Sequence, residues 1–318
     1  MRYAVEAWAT EYGSPVEDAE MLASPAHPPL LDVEVPAADW APRDPEPSLA
    51  APASVLFTDG VRRIDARVWI DGDDDRTYLG ICASYAAGAV RAELGTAGHP
   101  SVANVVACEV GRGLFTTAPG AVPITTRHAS FGVRAVDDDS PDRLSLALQQ
   151  RMGELEVALA GRAEPADLVV IDGPLRGRTH VPNAIGYVKT HHVAYLPSPL
   201  DTVVAALRPG QRTPLFVTTS SWSRYSWYSR LPGADGHRWA GVVRGEASAD
   251  LDDAEAARLA DRATAVLPRF SSRAHKDPRA PQNLYPIAGL ERALRHRMGD
   301  PALILRSLRA AAGSAVSS

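Results

Sequence analysis

The sequence predicts an α/β fold, a mixed sheet flanked by helices, and two observations support this prediction. Apolar runs rich in β-branched residues recur between residues 54 and 136 and are bounded by turn residues, which is typical of strands. A helical pattern at 141–159 then precedes a further apolar run at 168–171, and mixed strand and helix patterns follow. Strands interrupted and followed by helices are expected to form a sheet that the helices cover.

Size and composition are those of a globular protein without a membrane span. The chain has 318 residues, enough for one large domain or two small ones. Its net charge of −5 provides no global basic field, so nucleic-acid binding would need a local basic patch. No run approaches the roughly 20 apolar residues of a spanning helix, and the N-terminus lacks a signal-peptide pattern, so we expect a cytoplasmic protein. Cys82 and Cys108 lie in apolar segments and are expected to be buried free thiols.

Residues 1–50 are predicted to form an extended N-terminal arm, and residues 51–318 a single domain. The arm is rich in Pro, Ala, Asp and Glu, has little hydrophobic periodicity, and contains Trp8 and Trp40 as large apolar anchors. Such a segment buries little apolar surface by itself. We therefore expect it to lie along the domain or to be loosely ordered.

The strand pattern begins at Ser54. Strands are predicted at 54–58, 63–70, 77–90, 102–110 and 124–136. An acidic run, Asp71 to Asp75, separates the second from the third. It lacks the spaced acids and closing Glu of a helix-loop-helix calcium site, so we interpret it as a solvated hairpin turn.

The C-terminal half alternates strands with helices. Pro141-Asp142 opens a helix on which leucines recur at helical spacing, and a buried strand follows at 168–171. The later elements are predicted as a short strand or loop at 185–192, a helix at 200–207, a strand at 214–218, a hairpin of 222–231 with 239–247, and helices at 252–267, 287–298 and 301–312.

Two Asp-Gly pairs follow apolar strands. Asp59-Gly60 follows the run 54–58, Asp172-Gly173 follows the run 168–171, and arginines come after each pair. An aspartate at a strand end is held rigidly while the turn gives access to it. Asp-Gly is also a common turn former without any function. Because the arrangement occurs twice, we predict that both aspartates are functional and emerge at one edge of the sheet.

A third acid completes a candidate metal site. Glu154 and Glu156 lie on the helix before the second Asp-Gly strand, and only one of them is expected to point at the aspartates, because residues two apart lie roughly 200° apart on a helix. Clustered carboxylates suit hard divalent cations. Two such metals stabilise the attacking and leaving oxygens in phosphodiester cleavage. Arg62, Arg176 and Arg178 are candidates for phosphate contacts.

An ordered set of short motifs resembles the NurA nuclease family. The set covers about residues 50–310. Its members are Asp59-Gly60, the helical Leu155-Glu156-Val157-Ala158-Leu159, Asp172-Gly173-Pro174-Leu175, Gly186-Tyr187-Val188-Lys189, the segment 224–231, Val242-Val243-Arg244-Gly245-Glu246 and Asn283-Leu284-Tyr285-Pro286. The resemblance implies an RNase H-like fold and a homodimer. It also implies manganese-dependent (or magnesium-dependent) 5′ to 3′ DNA exonuclease and single-strand endonuclease activity in the processing of double-strand breaks. The implied partner is a HerA-type hexameric translocase.

The resemblance also implies roles for individual residues. Asp59 and Asp172 match the two metal-binding aspartates. Glu156 matches the helical glutamate best, with Glu154 as the alternative. Lys189 matches a lysine after the second Asp-Gly pair, where it would hold a phosphate or developing charge.

The sequence departs from the family pattern at several positions. Val61 and Pro174 stand where a serine usually follows Asp-Gly, and the histidine expected after the Tyr-Pro motif has no match, since His296 is a few positions off. His191 and His192 are interpreted as structural or exposed. A non-catalytic RNase H-like protein that binds nucleic acid or a partner is therefore the alternative hypothesis, and a sugar- or nucleotide-phosphate enzyme is a third.

An aromatic group could contribute base stacking or only packing. The group comprises Trp222, Tyr225, Trp227 and Tyr228, interleaved with Arg224 and Arg230. Aromatic and arginine side chains together suit single-stranded nucleic acid. Alternation along a strand, however, places these aromatic residues on two faces, of which we expect one to belong to the core.

Overall fold

The computed structural model describes residues 28–95, 102–191, 195–220, 222–234 and 236–316. In these residues, ten strands form one mixed sheet with the order β4-β5-β3-β2-β1-β6-β7-β10-β9-β8. Helices flank the sheet, so the predicted α/β class is confirmed at this level. None of the helices in the described ranges has the length and apolar character needed to cross a membrane. Trp8 and His192 lie outside the described residues.

The element bounds agree with most of the predicted segments. The strands are β1 Ser54–Asp71, β2 Thr77–Glu93, β3 Val102–Thr116, β4 Ile124–Thr125, β5 Ser130–Ala135, β6 Leu168–Asp172, β7 Ala184–Val188, β8 Phe216–Thr219, β9 Ser223–Arg230 and β10 Val242–Ser248. The helices are α1 Pro141–Arg162, α2 Asp201–Ala206, α3 Asp253–Val266, α4 Tyr285–Arg297 and α5 Pro301–Val316, with short 3-10 turns at Ala37–Asp39 and Leu267–Phe270.

The first predicted strand was too short. The sequence predicted separate strands at 54–58 and 63–70, whereas β1 runs without a break from Ser54 to Asp71. Gly60 does not take a positive φ, and Val61 after it is buried. Asp59 therefore lies within an extended strand and not at its end. Only Asp172 ends its strand.

The chain divides into two compact units. The first comprises Met1–Thr58, Val90–Val105 and Ala163–Gly289. In it, β6 pairs in parallel with β7, and β7 pairs antiparallel with β10. The arm segment from residue 28 is joined to this unit by an antiparallel bridge between Leu30 and Val217 and by the Glu34–Arg212 ion pair, 2.7 Å long.

The second unit comprises Asp59–Ala89, Val106–Arg162 and Leu290–Ser318. Helix α1 packs Leu144, Leu148 and Met152 against side chains of β2 and β3. Helix α5 contributes Ile304 and Leu308 to a separate cluster that includes Cys82. Both cysteines are free thiols, but Cys108 is only half-buried, contrary to the expectation that both would be buried.

The aromatic group lies mainly in the core. Strands β9 and β10 form the predicted antiparallel hairpin. On β9, Tyr225, Trp227 and Tyr228 are all buried, although neighbouring residues of a strand point to opposite faces. Both faces of this strand are covered, so these rings serve packing. Stacking on an exposed base would need rings that reach solvent.

Candidate metal centre

The register of two parallel strands is fixed up to the residues that precede Asp59 and Asp172. Thr58 of β1 is aligned with Ile171 of β6. Asp59 and Asp172 are the next residues on each strand. The alignment is fixed by apolar packing, because Val55 to Phe57 and their β6 partners are almost completely buried.

The turn after Asp172 is tightly held. Gly173 takes φ +93, a value that disfavours residues with a Cβ, and its amide donates to the Tyr187 carbonyl at 2.9 Å. Gly186 lies directly beneath the turn: a Cβ there would be 2.6 Å from the Leu175 amide nitrogen. The same Leu175 amide donates to Oε2 of Glu246 at 3.0 Å. Backbone and buried side chains therefore fix the direction in which Asp172 leaves its strand.

Glu246 is part of a fully buried charged network. Its Oε1 accepts from Arg224 at 2.9 Å and from Arg244 at 2.8 Å, and Glu246 itself is 0% exposed. Burial works against the charged form of Arg244, yet the neighbouring Glu246 raises the pKa of the guanidinium above its ordinary value. A buried carboxylate with charged partners anchors the turn after Asp172.

Lys189 contacts Asp172 directly. Its ammonium donates to Oδ2 of Asp172 at 2.6 Å and to Oδ1 of Asn283 at 3.3 Å, and the Asn283 amide donates to Asp277 at 2.7 Å. Lys189 is 5% exposed. The predicted phosphate-binding lysine is thus a buried neighbour of the acid, and Asn283 from the Asn-Leu-Tyr-Pro motif helps to position it.

The helical glutamate next to Asp59 is Glu156. Its Oε1 lies against Gly60, where any Cβ would overlap with it, and Glu156 is buried. Glu154 faces solvent and pairs with Arg151 at 2.5 Å. Asp59 is buried and its Oδ1 accepts from the Gly60 amide at 2.7 Å. Of the two glutamates left open by the sequence, Glu156 is the one beside the Asp59-Gly60 pair.

Three carboxylates converge closely enough to share a cation. One oxygen each from Asp59, Asp172 and Glu291 lies within 4.8 Å of the others. Among the described residues, Glu156, the predicted third acid, is not a member of this group. Glu291 comes from helix α4 and was not predicted.

The sequence contained a signal for Glu291. Helix α4 and the residue after it carry an apolar stripe at Ile287, Leu290, Leu294 and Met298, all almost fully buried. Glu291 stands four residues after Ile287 and three before Leu294, so helical periodicity places a carboxylate inside that stripe. A charged residue on the core-facing side of a helix is rare unless it has a partner. The histidine expected nearby is not at this position, and His296 is exposed.

The donor set of this acidic group fits a hard divalent cation. Mg²⁺ and Mn²⁺ prefer carboxylate and water oxygens over nitrogen or sulfur ligands. Three acids confined to less than 5 Å repel one another unless a cation or proton offsets their charge. The Lys189 ammonium supplies part of that compensation at Asp172.

The arginines predicted to bind nucleic acid differ in their surroundings. Arg176 is exposed. Arg178 is half-buried, and its Nη1 donates to the Pro174 carbonyl at 3.2 Å. The Nε of Arg62 donates to Gln149 on helix α1 at 2.6 Å. His191, interpreted from the sequence as structural or exposed, lies at 2.9 Å from the Val242 carbonyl and packs against Tyr228.

Comparisons with known proteins add no family assignment to this geometry. No protein-family model matches the chain, and no curated protein does. The chemical character of the acidic group therefore rests on its own residues.

Proposed function

We propose that this chain is a divalent-metal-dependent DNA nuclease that hydrolyses phosphodiester bonds. The observation that carries the proposal is the convergence of Asp59, Asp172 and Glu291, with carboxylate oxygens within 4.8 Å of one another. Carboxylate clusters of this kind suit the cations used in phosphodiester hydrolysis. The resemblance of the surrounding motifs to the NurA family supports DNA as the substrate, manganese or magnesium as the metal, and an RNase H-like arrangement of the sheet.

Each acidic residue has a proposed task. Asp59, Asp172 and Glu291 would hold the cation. A divalent cation at this position would polarise a phosphodiester and lower the pKa of a bound water. Glu156, buried beside Gly60, is proposed to orient water or to complete a second cation site. Lys189 is proposed to hold the Asp172 carboxylate in place and to offset negative charge when a phosphate approaches.

The proposed cleavage polarity, oligomeric state and partner follow from the same resemblance to the NurA family. We infer 5′ to 3′ exonuclease and single-strand endonuclease activity, a homodimer, and cooperation with a HerA-type hexameric translocase in end processing of DNA breaks. A cytoplasmic location is part of this proposal. Polarity and partner are tested separately from cleavage, by end-labelled substrates and by co-purification with the translocase.

Metal binding and cleavage test the central proposal. Purified protein is mixed with Mn²⁺ and 5′-labelled single-stranded or linear duplex DNA, and calorimetry measures Mn²⁺ binding. We expect Asp172→Asn and Glu291→Gln each to reduce cleavage at least 100-fold, because removing one charged ligand weakens the cation site. Glu164→Gln, an exposed acid in the segment after α1, is the matched control and should cleave normally. Wild-type protein that neither binds Mn²⁺ nor cuts DNA would refute the proposal.

A non-catalytic binding protein is the second candidate. The observation that favours it is the short contact between the Lys189 ammonium and Asp172, since a basic side chain competes with a cation for the same oxygen. Such a protein would bind DNA or a partner without turnover. It would also show no rise in melting temperature with Mn²⁺, whereas a cation that binds only the folded state raises that temperature.

A further inference from the structure

A cavity in the second unit collects four arginines. Its volume is about 310 Å³, and strands β2, β3 and β5 line it together with helix α1. The charged residues that line it are Arg112, Arg134, Arg151, Arg162, Glu109 and Glu154. Guanidinium groups therefore outnumber carboxylates by two, in a chain whose net charge is negative.

Two of these arginines already have carboxylate partners. Arg162 pairs with Glu109 at 3.0 Å, and Arg151 pairs with Glu154 at 2.5 Å. Arg151 also donates from Nε to the Tyr85 hydroxyl at 3.3 Å. These exposed or half-exposed pairs contribute little to stability. They line the cavity without using all of the donors of either guanidinium.

The other two arginines have donors that the described residues leave unused. Arg112 donates from Nη2 to the Met298 carbonyl at 3.0 Å, but its Nε is buried and has no hydrogen-bond partner among the described residues. Arg134 is exposed, and its side chain has neither a hydrogen bond nor an ion pair within the described part of the chain. The exposed guanidinium of Arg134 is therefore available to an acceptor from outside the chain, and the positive charge of Arg112 in the same cavity lining favours an anionic one.

The backbone of the cavity is built to accommodate these side chains. A Cβ on Gly113 would lie 3.0 Å from Cγ of Arg134, and a Cβ on Gly111 would overlap the Tyr85 ring. Both glycines lie on β3, away from any turn. A glycine within a strand commonly marks a close approach by another group. Here the glycines leave room for the arginine stem and for the tyrosine ring.

We propose that this cavity binds a phosphate group. A phosphate offers several oxygen acceptors around one centre, which suits converging planar guanidinium groups better than a single point charge does. The volume of the cavity lies at the lower end of the range for ligand-binding sites. It is enough for one phosphate with the sugar attached to it. The source is either a phosphodiester of single-stranded nucleic acid or a free phosphate. None of the three clustered acids lines this cavity, so the proposal stands independently of metal chemistry.

Binding in the absence of divalent metal tests the proposal. Inorganic phosphate and a single-stranded oligonucleotide are titrated separately into the full chain in buffer with a chelator, by calorimetry and by fluorescence anisotropy. We expect Arg134→Gln to weaken binding of at least one probe tenfold or more. The double variant Arg112→Gln/Arg134→Gln should weaken it further. Arg67→Gln removes an exposed arginine on β1 that does not line the cavity and should bind as wild type does.

Two probes, together with a variant that is expected to tighten binding, distinguish the possible outcomes. If the oligonucleotide alone is affected, and the salt slope of its binding falls by about 1 per arginine removed, the source is nucleic acid. If phosphate alone is affected, the source is a free phosphate. Glu109→Gln should tighten binding, because it releases Arg162 from its carboxylate. Unchanged binding of both probes by Arg134→Gln, a substitution of an exposed side chain, overturns the proposal.

Discussion

The two Asp-Gly pairs look alike in sequence but use their glycines differently. Gly173 has φ +93 and open space where a Cβ would stand, so it is a turn glycine chosen for its backbone conformation. Gly60 stays within strand β1 and lies against the Glu156 carboxylate, so it is chosen for the absence of a side chain. The comparison shows that one dipeptide can satisfy two separate physical requirements next to a functional acid.

The contacts that hold Asp172 and Asp59 in place also differ. The turn at Asp172 is fixed by Glu246 through the Leu175 amide, and by the close approach of Gly186. Asp59 is placed by the strand that contains it and by its own Gly60 amide. Substitutions near Asp172 should therefore act mainly on stability, and substitutions at Gly60 mainly on the position of a carboxylate.

The largest effect is expected for Glu246→Gln. Removing this charge leaves Arg224 and Arg244 buried without their shared carboxylate, a loss of about 3–5 kcal/mol in the free energy of unfolding. Urea denaturation measures it. The exposed Glu154→Gln serves as the control and should change stability by less than about 0.5 kcal/mol. Equal stability of the two variants would show that the Glu246 network does not support the turn at Asp172.

Gly186→Ala is expected to have the second largest effect on stability. The added Cβ would meet backbone atoms of Leu175 and Gly173, at 2.6 Å and 3.0 Å, and backbone cannot rotate away as a side chain can. We expect a loss of about 1–3 kcal/mol, as for overpacking elsewhere. Gly132→Ala, on strand β5 with open space around it, is the matched control and should be close to neutral. A neutral Gly186→Ala would mean that the turn moves freely.

Gly173→Ala should cost less, about 1–2 kcal/mol, from the conformation alone. Its Cβ would meet nothing within 4 Å, so the penalty comes from the positive φ. Gly173→Asn tests whether the positive φ causes the loss of stability, because asparagine tolerates positive φ better than alanine does. Thermal denaturation should therefore rank wild type first, the asparagine variant second and the alanine variant last. The reverse order of the two variants would contradict a conformational role.

Gly60→Ala should be milder in stability, with a loss of about 1 kcal/mol or less, because the atom in the way is the end of a flexible glutamate. Its main effect should be to displace Glu156. If Glu156 takes part in the proposed reaction, Gly60→Ala and Glu156→Gln will both lower Mn²⁺-dependent cleavage, and the double variant will be no worse than Glu156→Gln. Additive losses would place the two residues in separate roles.

How much of the structure can be predicted from the sequence depends on how far apart along the chain the interacting residues lie. The run at 168–171 predicts a buried strand with Asp172 at its end, since a local apolar pattern followed by a turn carries that information. The continuity of β1 through Gly60 could not be predicted, because Asp-Gly is a common turn former and the contact of Gly60 with Glu156, almost 100 residues later, is not contained in the local pattern. Glu291 was missed for a different reason. Its position in an apolar stripe was visible, but the location of helix α4 is a tertiary property that periodicity does not contain.

The smallest expected effect concerns pH. Burial raises the pKa of Asp277, but hydrogen bonds from the Arg279 amide at 2.8 Å and the Asn283 amide at 2.7 Å outweigh it, and the net pKa is lowered. Because the pKa in the folded state lies below that in the unfolded state, the unfolded chain binds the proton first. The stabilisation is therefore complete above about pH 5 and is lost as the pH falls through the folded value.

Asp277→Asn should remove that part of the pH dependence. The difference in unfolding free energy between wild type and variant should be largest above about pH 5 and shrink toward pH 3, as urea denaturation at several pH values would measure. The consequence extends to Asp172, because Asp277 fixes the orientation of the Asn283 amide and Asn283 in turn contacts Lys189. If the difference between the two proteins is independent of pH, Asp277 orients Asn283 through its shape alone, and its charge does not contribute to the support of Lys189 and Asp172.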